Sequence, residues 1–327
     1  MINRNRSFNL SDYSELSKDE IVDHLEDSVT LFIDSPGADK SLLSEINKRL
    51  KYIKNVGLTI VCDYLHNPSS GFVNNLDVLL YLNNIQRLTI FNHSLARLET
   101  LENIDCIPEL KLFSLNGFFK DNISLESLFS YKLESFSIEA RAGEQVYKLL
   151  DLNRSLKELS INSLDLKRIE NFEDLSYLSV NNSLKNSEMM CLRFPNIKSL
   201  QLKLMKGISD FSFISMLHRL SNLSLMYTGV TSMPTFNVDR MSRISLVSNK
   251  RLQDISSIWE LKSLEQLYVS YSEQLNTGDL ERCLRVPNLR RGCFLSAKVK
   301  RDKAIKDIFN HSKVEFDTST ANDYTWF

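Results

Sequence analysis

Residues 249–272 read NKRLQDISSIWELKSLEQLYVSYS, with Leu252, Ile255, Ile258, Leu261, Leu264, Leu267 and Val269 apolar and in phase. The last part is a compact phrase: an apolar residue, two variable ones, an apolar one, one variable, an apolar one. Leu267 and Val269 stand two apart, the period of an extended strand, so they point to one side of it and Tyr268 points to the other. The rest of the stretch must carry the chain back to begin another strand beside the first. A return of about seventeen residues accommodates a turn with a short helix or an irregular extended segment, and it makes neighbouring strands parallel.

The phrase recurs along the chain. It appears as IQRLTIF from Ile85, LKLFSLN from Leu110, LESFSIE from Leu133, LKELSIN from Leu156 and LSYLSVN from Leu175. It continues as IKSLQLK from Ile197, LSNLSLM from Leu220, MSRISLV from Met241 and LEQLYVS from Leu264. A degraded copy, LRRGCFL, starts at Leu289, and Leu58 with Ile60 suggests an early strand. The fourth position falls at Leu88, Phe113, Phe136, Leu159, Leu178, Leu200, Leu223, Ile244 and Leu267, at intervals of 25, 23, 23, 19, 22, 23, 21 and 23 residues. Each unit can bury its apolar side only by stacking on the next, so the array and not the unit is the stable object.

This pattern resembles the leucine-rich repeat family over about residues 56–296. Residues 249–272 look like its internalin-type, irregular bacterial repeat, and KGISDFSFISMLHRLSNLSLMYT at 206–228 keeps the same spacing. Residues 228–249, TGVTSMPTFNVDRMSRISLVSN, are also similar to the shorter proline-bearing repeat of bacterial effectors. The resemblance implies an α/β solenoid, a horseshoe with a parallel concave sheet of about ten or eleven strands and a cap at each end. It also implies an Asn three residues after the sixth-position leucine, where the amide satisfies backbone groups of the turn. Only Asn249 occupies that slot; His93, Phe118, Leu164, Met205 and Thr228 stand there in other copies.

Composition agrees. The 327 residues include 51 leucines, none after Leu295, so the repeat ends there. Forty basic against 41 acidic residues leave a formal charge of −1, which excludes a highly basic nucleic-acid binder. Nine glycines and six prolines are too few for a collagen-like or linker-rich chain. The first twenty residues lack an apolar run of the secretory kind, and no stretch reaches the roughly 18 apolar residues of a membrane span. The five cysteines are odd in number and scattered, with neither zinc nor redox spacing, which suits reduced thiols and a cytoplasmic location.

An exposed stack of strands needs covering at both ends. Residues 1–55 are expected to form a helical N-terminal cap, with one helix starting at Asp39 and carrying Leu42, Leu43, Ile46, Leu50 and Ile53, and an earlier one near residues 17–31. Residues 297–327 are expected to form the C-terminal cap and tail, read as strand, basic helix and strand, with Trp326 and Phe327 either frayed or packed back. The run Lys298, Lys300, Arg301, Lys303 and Lys306 reads first as the solvated side of that helix.

Nothing in the sequence points to catalysis. The five histidines have no metal-ligand spacing, and no phosphate loop, GxGxxG or GxSxG motif occurs. No cofactor or metal is expected, and the chain reads as a non-enzymatic scaffold. Its partner would bind on the concave side, to which positions three, five, seven and eight of each phrase contribute. Position five is a column of small hydroxyls over most of its length, from Thr89 to Ser245, which suits a crowded inner face. Toward the C-terminal half the neighbouring columns turn aromatic and basic: Tyr177, Lys203, Met226, Tyr227, Arg243, Tyr268, Tyr271 and Arg291 are the candidate partner-binding residues. Tyrosine, methionine and arginine bury large areas at interfaces and keep a polar handle. Eight basic residues on this side, counting position two, against four acidic ones would steer a mildly acidic protein to it. The expected partner is therefore another protein, with neither nucleic acid nor membrane involved. A narrower version is an immunity or antitoxin-type protein that neutralises a toxin by occluding its active site.

Overall fold

The computed structural model describes residues 6–9, 29–33, 40–62, 76–93, 98, 100–117, 119, 123–139, 143–205, 207–208, 210–236 and 239–316. The chain divides into two units, residues 1–156 and 157–327. In the first, strands β1 (Arg6–Asn9), β2 (Val29–Ile33), β3 (Gly57–Cys62), β4 (Arg87–Asn92), β5 (Leu112–Gly117) and β6 (Ser135–Ile138) pair in sequence order, every pair parallel. The register is that of the repeated phrase: Leu58 faces Leu88, Leu88 faces Phe113 and Phe113 faces Phe136. All four are buried, and the last two stack with ring centroids 6.3 Å apart. Position six repeats the ladder with Ile60, Ile90, Leu115 and Ile138.

Short 3-10 turns at Asp77–Leu80, Glu102–Cys106 and Glu126–Leu128 return the chain, and α2 (Glu144–Leu152) does so with a full helix. In α1 (Lys40–Leu50), Leu42, Leu43, Ile46 and Leu50 are buried, four of the five residues of the stripe read from the sequence; the fifth, Ile53, lies past the helix end and is half-buried. The span 1–55 also carries β1 and β2, which extend the sheet beyond β3. The earlier helix anticipated near residues 17–31 lies outside the described residues except at its end, where Val29–Leu31 belong to β2.

The second unit repeats the arrangement with β7 (Glu158–Asp165), β8 (Tyr177–Lys185), β9 (Ser199–Lys203), β10 (Asn222–Met226), β11 (Arg243–Val247), β12 (Gln266–Ser270), β13 (Arg291–Leu295) and β14 (Glu315–Phe316). Leu159, Leu178, Leu200, Leu223, Ile244, Leu267 and Gly292 form one continuous register row. The 19-residue interval, the shortest, has a return of one 3-10 turn, Leu166–Arg168, between the two longest strands of this unit. Later returns use α3 (Met190–Arg193), 3-10 turns at Ser212–Met216 and Ser256–Ile258, and α4 (Thr277–Cys283).

Fourteen strands are present among the described residues, against the ten or eleven anticipated. The eleven legible ones are β3–β13. The others, β1, β2 and β14, lie in segments that lack the six-residue phrase. At the second unit's far end the expected strand–helix–strand becomes α5 (Val299–Asn310) followed by β14. Phe309 of α5 stands over Gly292, where a Cβ would come within 3.0 Å of its ring. It also packs on Phe294 and Phe316, with centroids 5.1 and 4.7 Å away. The imperfect copy LRRGCFL thus leaves the gap that a capping aromatic fills.

Candidate functional site

Each strand of the second unit has a core face, built from positions four and six, and an open face, built from positions three, five and seven. The open face holds the candidate residues. At one side, the half-buried Tyr177 on β8 donates its phenol to Gln201 Oε1 on β9 at 3.2 Å. Ser179 donates to the same oxygen at 3.1 Å, and Gln201 Nε2 reaches Met226 Sδ on β10 at 3.5 Å. Burial, opposed by the Ser179 hydroxyl and reinforced by the charge of Glu158, raises the Tyr177 pKa, so this ring stays a neutral hydrogen-bonding group. Lys203 lies in register with Met226 and is half-buried.

The next strands change character. Met226, Val247, Tyr268 and Cys293 form one apolar cluster, only 4, 6, 6 and 1% exposed. Met226 and Tyr268 therefore back the surface, whereas Tyr227 and Tyr271 are each 46% exposed. The difference has a backbone cause. Position eight adopts a left-handed conformation four times in succession, at Leu204, Tyr227, Ser248 and Tyr271, with φ of 55, 53, 53 and 51°. Each of these residues donates its N–H to the neighbouring strand: Leu204 to Met226 O, Tyr227 to Val247 O, Ser248 to Ser270 O and Tyr271 to Leu295 O, at 2.8–2.9 Å. The ladder is thereby prolonged by one residue, and that residue turns off the strand. For residues with a Cβ this costs about 1–2 kcal/mol apiece, offset here by the extra ladder bonds.

The turn that follows in one repeat is closed by a buried amide. Asn249 Oδ1 accepts from Thr228 N at 2.9 Å and from Thr228 Oγ1 at 2.8 Å, while Asn249 Nδ2 donates to Leu225 O at 2.8 Å. The asparagine slot thus performs the role the resemblance implies, over in-register rows of buried leucine. The chain has the leucine-rich repeat fold.

No family model and no curated protein matches the sequence. Among solved structures, an internalin of Listeria monocytogenes matches across 88% of this chain and 73% of its own, at 14% identity and a TM-score of 0.38. A leucine-rich repeat protein of Leptospira interrogans matches across 92% of this chain and 80% of its own, at 18% identity and a TM-score of 0.44.

Two further candidates occupy the starts of strands. Arg243 is exposed at the beginning of β11. Arg291, at the beginning of β13, pairs with Glu315 of β14, Nε to Oε2 at 3.4 Å. The basic run of the cap separates similarly. Arg301 is held by Glu273, Nη1 to Oε2 at 3.2 Å, and also donates to the Glu273 and Leu275 carbonyls, while Lys298, Lys300, Lys303 and Lys306 are exposed. The left-handed ladder escaped the sequence reading, because tyrosine and leucine do not announce a positive φ as glycine or asparagine does.

Cys106, Cys191, Cys283 and Cys293 carry free thiols. Burial pushes the Cys283 thiol up to about 12, which leaves it an inert core group. Among the described residues no His, Cys, Asp or Glu cluster has a metal-binding arrangement, and no helix is long and apolar enough to cross a membrane.

Proposed function

We propose that this repeat protein is a binding scaffold for another protein, gripped along the strand ends and open face of β9–β12. The observation that carries the reading is the pair Tyr227 and Tyr271, both 46% exposed and both fixed by ladder hydrogen bonds. They extend alternate strands, so about 10 Å separates their backbones, with half-buried Ser248 between them. Such a slot admits one side chain of a partner between two aromatic walls. Their backbones are held before binding, so little main-chain freedom is lost on association. Lys203 and exposed Arg243 give this part of the face a positive bias suited to a mildly acidic partner.

The narrower version assigns the partner as a toxin whose active site the scaffold covers, in a reducing, cytoplasmic setting that suits the free thiols. It would be supported by rescue of growth on coexpression with a toxin found by copurification. The broader reading is tested by identifying a partner with the wild-type chain and measuring its affinity for Tyr227→Ala and Tyr271→Ala. Each change should weaken binding by about 2 kcal/mol, roughly 30-fold, with the melting curve unchanged. Equal affinity for both variants rejects the site.

A further inference from the structure

The left-handed positions that end β9–β12 form one feature, and it extends past the two tyrosines. Leu204, Tyr227, Ser248 and Tyr271 directly follow four adjacent strands whose last residues, Lys203, Met226, Val247 and Ser270, stand in register. Leu204 is 39% exposed and each tyrosine 46%. Met226, Val247 and Ser270 are buried behind them, so the accessible surface of these strands begins at position eight. The result is a ridge of three large side chains with a notch at the half-buried Ser248.

Two properties of the ridge decide what can lie along it. The first is hydrogen bonding. All four residues already donate their N–H to a neighbouring strand. An extended segment crossing the strand ends therefore finds no free backbone donor there for its own carbonyls, whereas a helix arrives with its backbone satisfied internally. The second is pitch. Adjacent strands lie about 4.8 Å apart, so Leu204 and Tyr271 are separated by about 14 Å. A helix apolar at i, i+4 and i+7 repeats its contacts about every 5.4 Å, and nearly three turns cover that length in step with the strands. Same-side residues of an extended chain are about 6.7 Å apart and fall out of step by the second strand.

We infer that this ridge receives an amphipathic α-helix with acidic flanks, laid across the ends of β9–β12. The inference rests on the tyrosine site proposed above and names what occupies it. One large apolar side chain of the helix enters the notch over Ser248, between Tyr227 and Tyr271, and another, one turn away, packs between Leu204 and Tyr227. The turns supply the charge. Within three positions past the ridge, and past Ser296 in the same place after β13, the charged residues among those described are Lys250, Arg251, Glu273 and Lys298. The three bases are exposed, while Glu273 is engaged by Arg301 at 3.2 Å. Asp or Glu beside the apolar stripe of the helix complements that excess, and a basic helix is repelled by it.

The probe is a synthetic peptide of about eighteen residues, with leucine at i, i+4, i+7 and i+11 and glutamate on both flanks. One control peptide redistributes the same residues so that leucine and glutamate alternate, and a second carries lysine in place of every glutamate. Fluorescence anisotropy with the full chain should show the acidic helix binding at least about 10-fold tighter than either control. Ser248→Phe fills the notch and leaves both tyrosines in place, and it should weaken the helix at least about 10-fold with an unchanged circular dichroism spectrum. Leu204→Ser, at the exposed end of the ridge, should weaken it about 5-fold and serves if Ser248→Phe disturbs its turn. No binding up to about 1 mM overturns the inference, as does helix binding that ignores both substitutions, or lysine peptide binding as tight as the acidic one. Preference for the alternating peptide, still lost in Tyr227→Ala and Tyr271→Ala, overturns the helix and leaves the tyrosine site standing. Helix binding that is unchanged in both tyrosine variants overturns the site and the inference together.

Discussion

At the scale of single residues, Asn249 is decisive for one turn of the array. It is fully buried and makes three hydrogen bonds to Thr228 and Leu225. Asn249→Ala strands the Thr228 N–H and the Leu225 carbonyl in a dry interior, a loss of about 2–3 kcal/mol. Urea unfolding should show that drop in midpoint with an unchanged slope. Asn249→Asp keeps the acceptor, removes the donor and buries a charge, so it should cost more than alanine does. Where Leu164 and Met205 occupy the slot in other repeats, these residues are themselves buried, and packing takes the place of the amide. The irregularity read from the sequence is therefore a change of chemistry within a constant architecture.

At the scale of elements, a polar and an apolar contact of the cap helix α5 can each be tested. The polar one is Glu273, whose Oε1 accepts from Ala297 N at 2.9 Å and whose Oε2 meets Ser296 and Arg301. The Ala297 N–H first, then Arg301, Ser296 and Lys298, outweigh desolvation and hold this carboxyl below its usual 4.5. A depressed carboxylate pKa adds stability above the unfolded value and loses it as pH falls through the folded one. Glu273→Gln should therefore lower the melting point at pH 7, by the equivalent of about 1 kcal/mol, and the gap to wild type should close on acidification below about pH 4.5. The apolar contact is Phe309 over Gly292. Gly292→Val should cost about 1–3 kcal/mol by driving two methyls into that ring, visible as a lower thermal midpoint.

The same elements mark what could be read in advance. Strands β3–β13 were legible because leucines two apart, recurring at about 23 residues, leave little choice of period or face. Glycine in LRRGCFL read as decay, since its purpose depends on a ring seventeen residues later. Six of the candidate residues lie on the strands assigned to them and Tyr227 and Tyr271 just past the ends of theirs, but their availability was not legible. Tyr268 and Tyr271 differ by three positions in one phrase, yet one backs the sheet and the other stands out from it, and a positive φ at position 271 makes the difference. Column arithmetic treats position eight as one more strand residue, and the left-handed turn there is a property of neighbouring backbones.

At the scale of the whole molecule, a stack in which each strand touches only its neighbours has a characteristic energetic signature. Within the second unit, Leu223 and Ile244 are direct register partners, whereas Leu159 and Leu267 are five strands apart, about 24 Å. All four are buried in one row, so each change to alanine should cost about 2–5 kcal/mol, depending on how far the cavity collapses. What distinguishes a linear array from a globular core is how those costs combine. Leu223→Ala with Ile244→Ala opens one shared void, and the double variant should depart from the sum by 0.5 kcal/mol or more, about the threshold for contacting pairs. Leu159→Ala with Leu267→Ala shares no neighbour and should add to within about 0.5 kcal/mol. Hydrogen exchange offers an independent check: Leu223→Ala should loosen amides of β9, β10 and β11 first and spare β13 under native conditions. Uniform loss of protection across the unit, or equal coupling for near and distant pairs, would replace the nearest-neighbour picture with a single cooperative core.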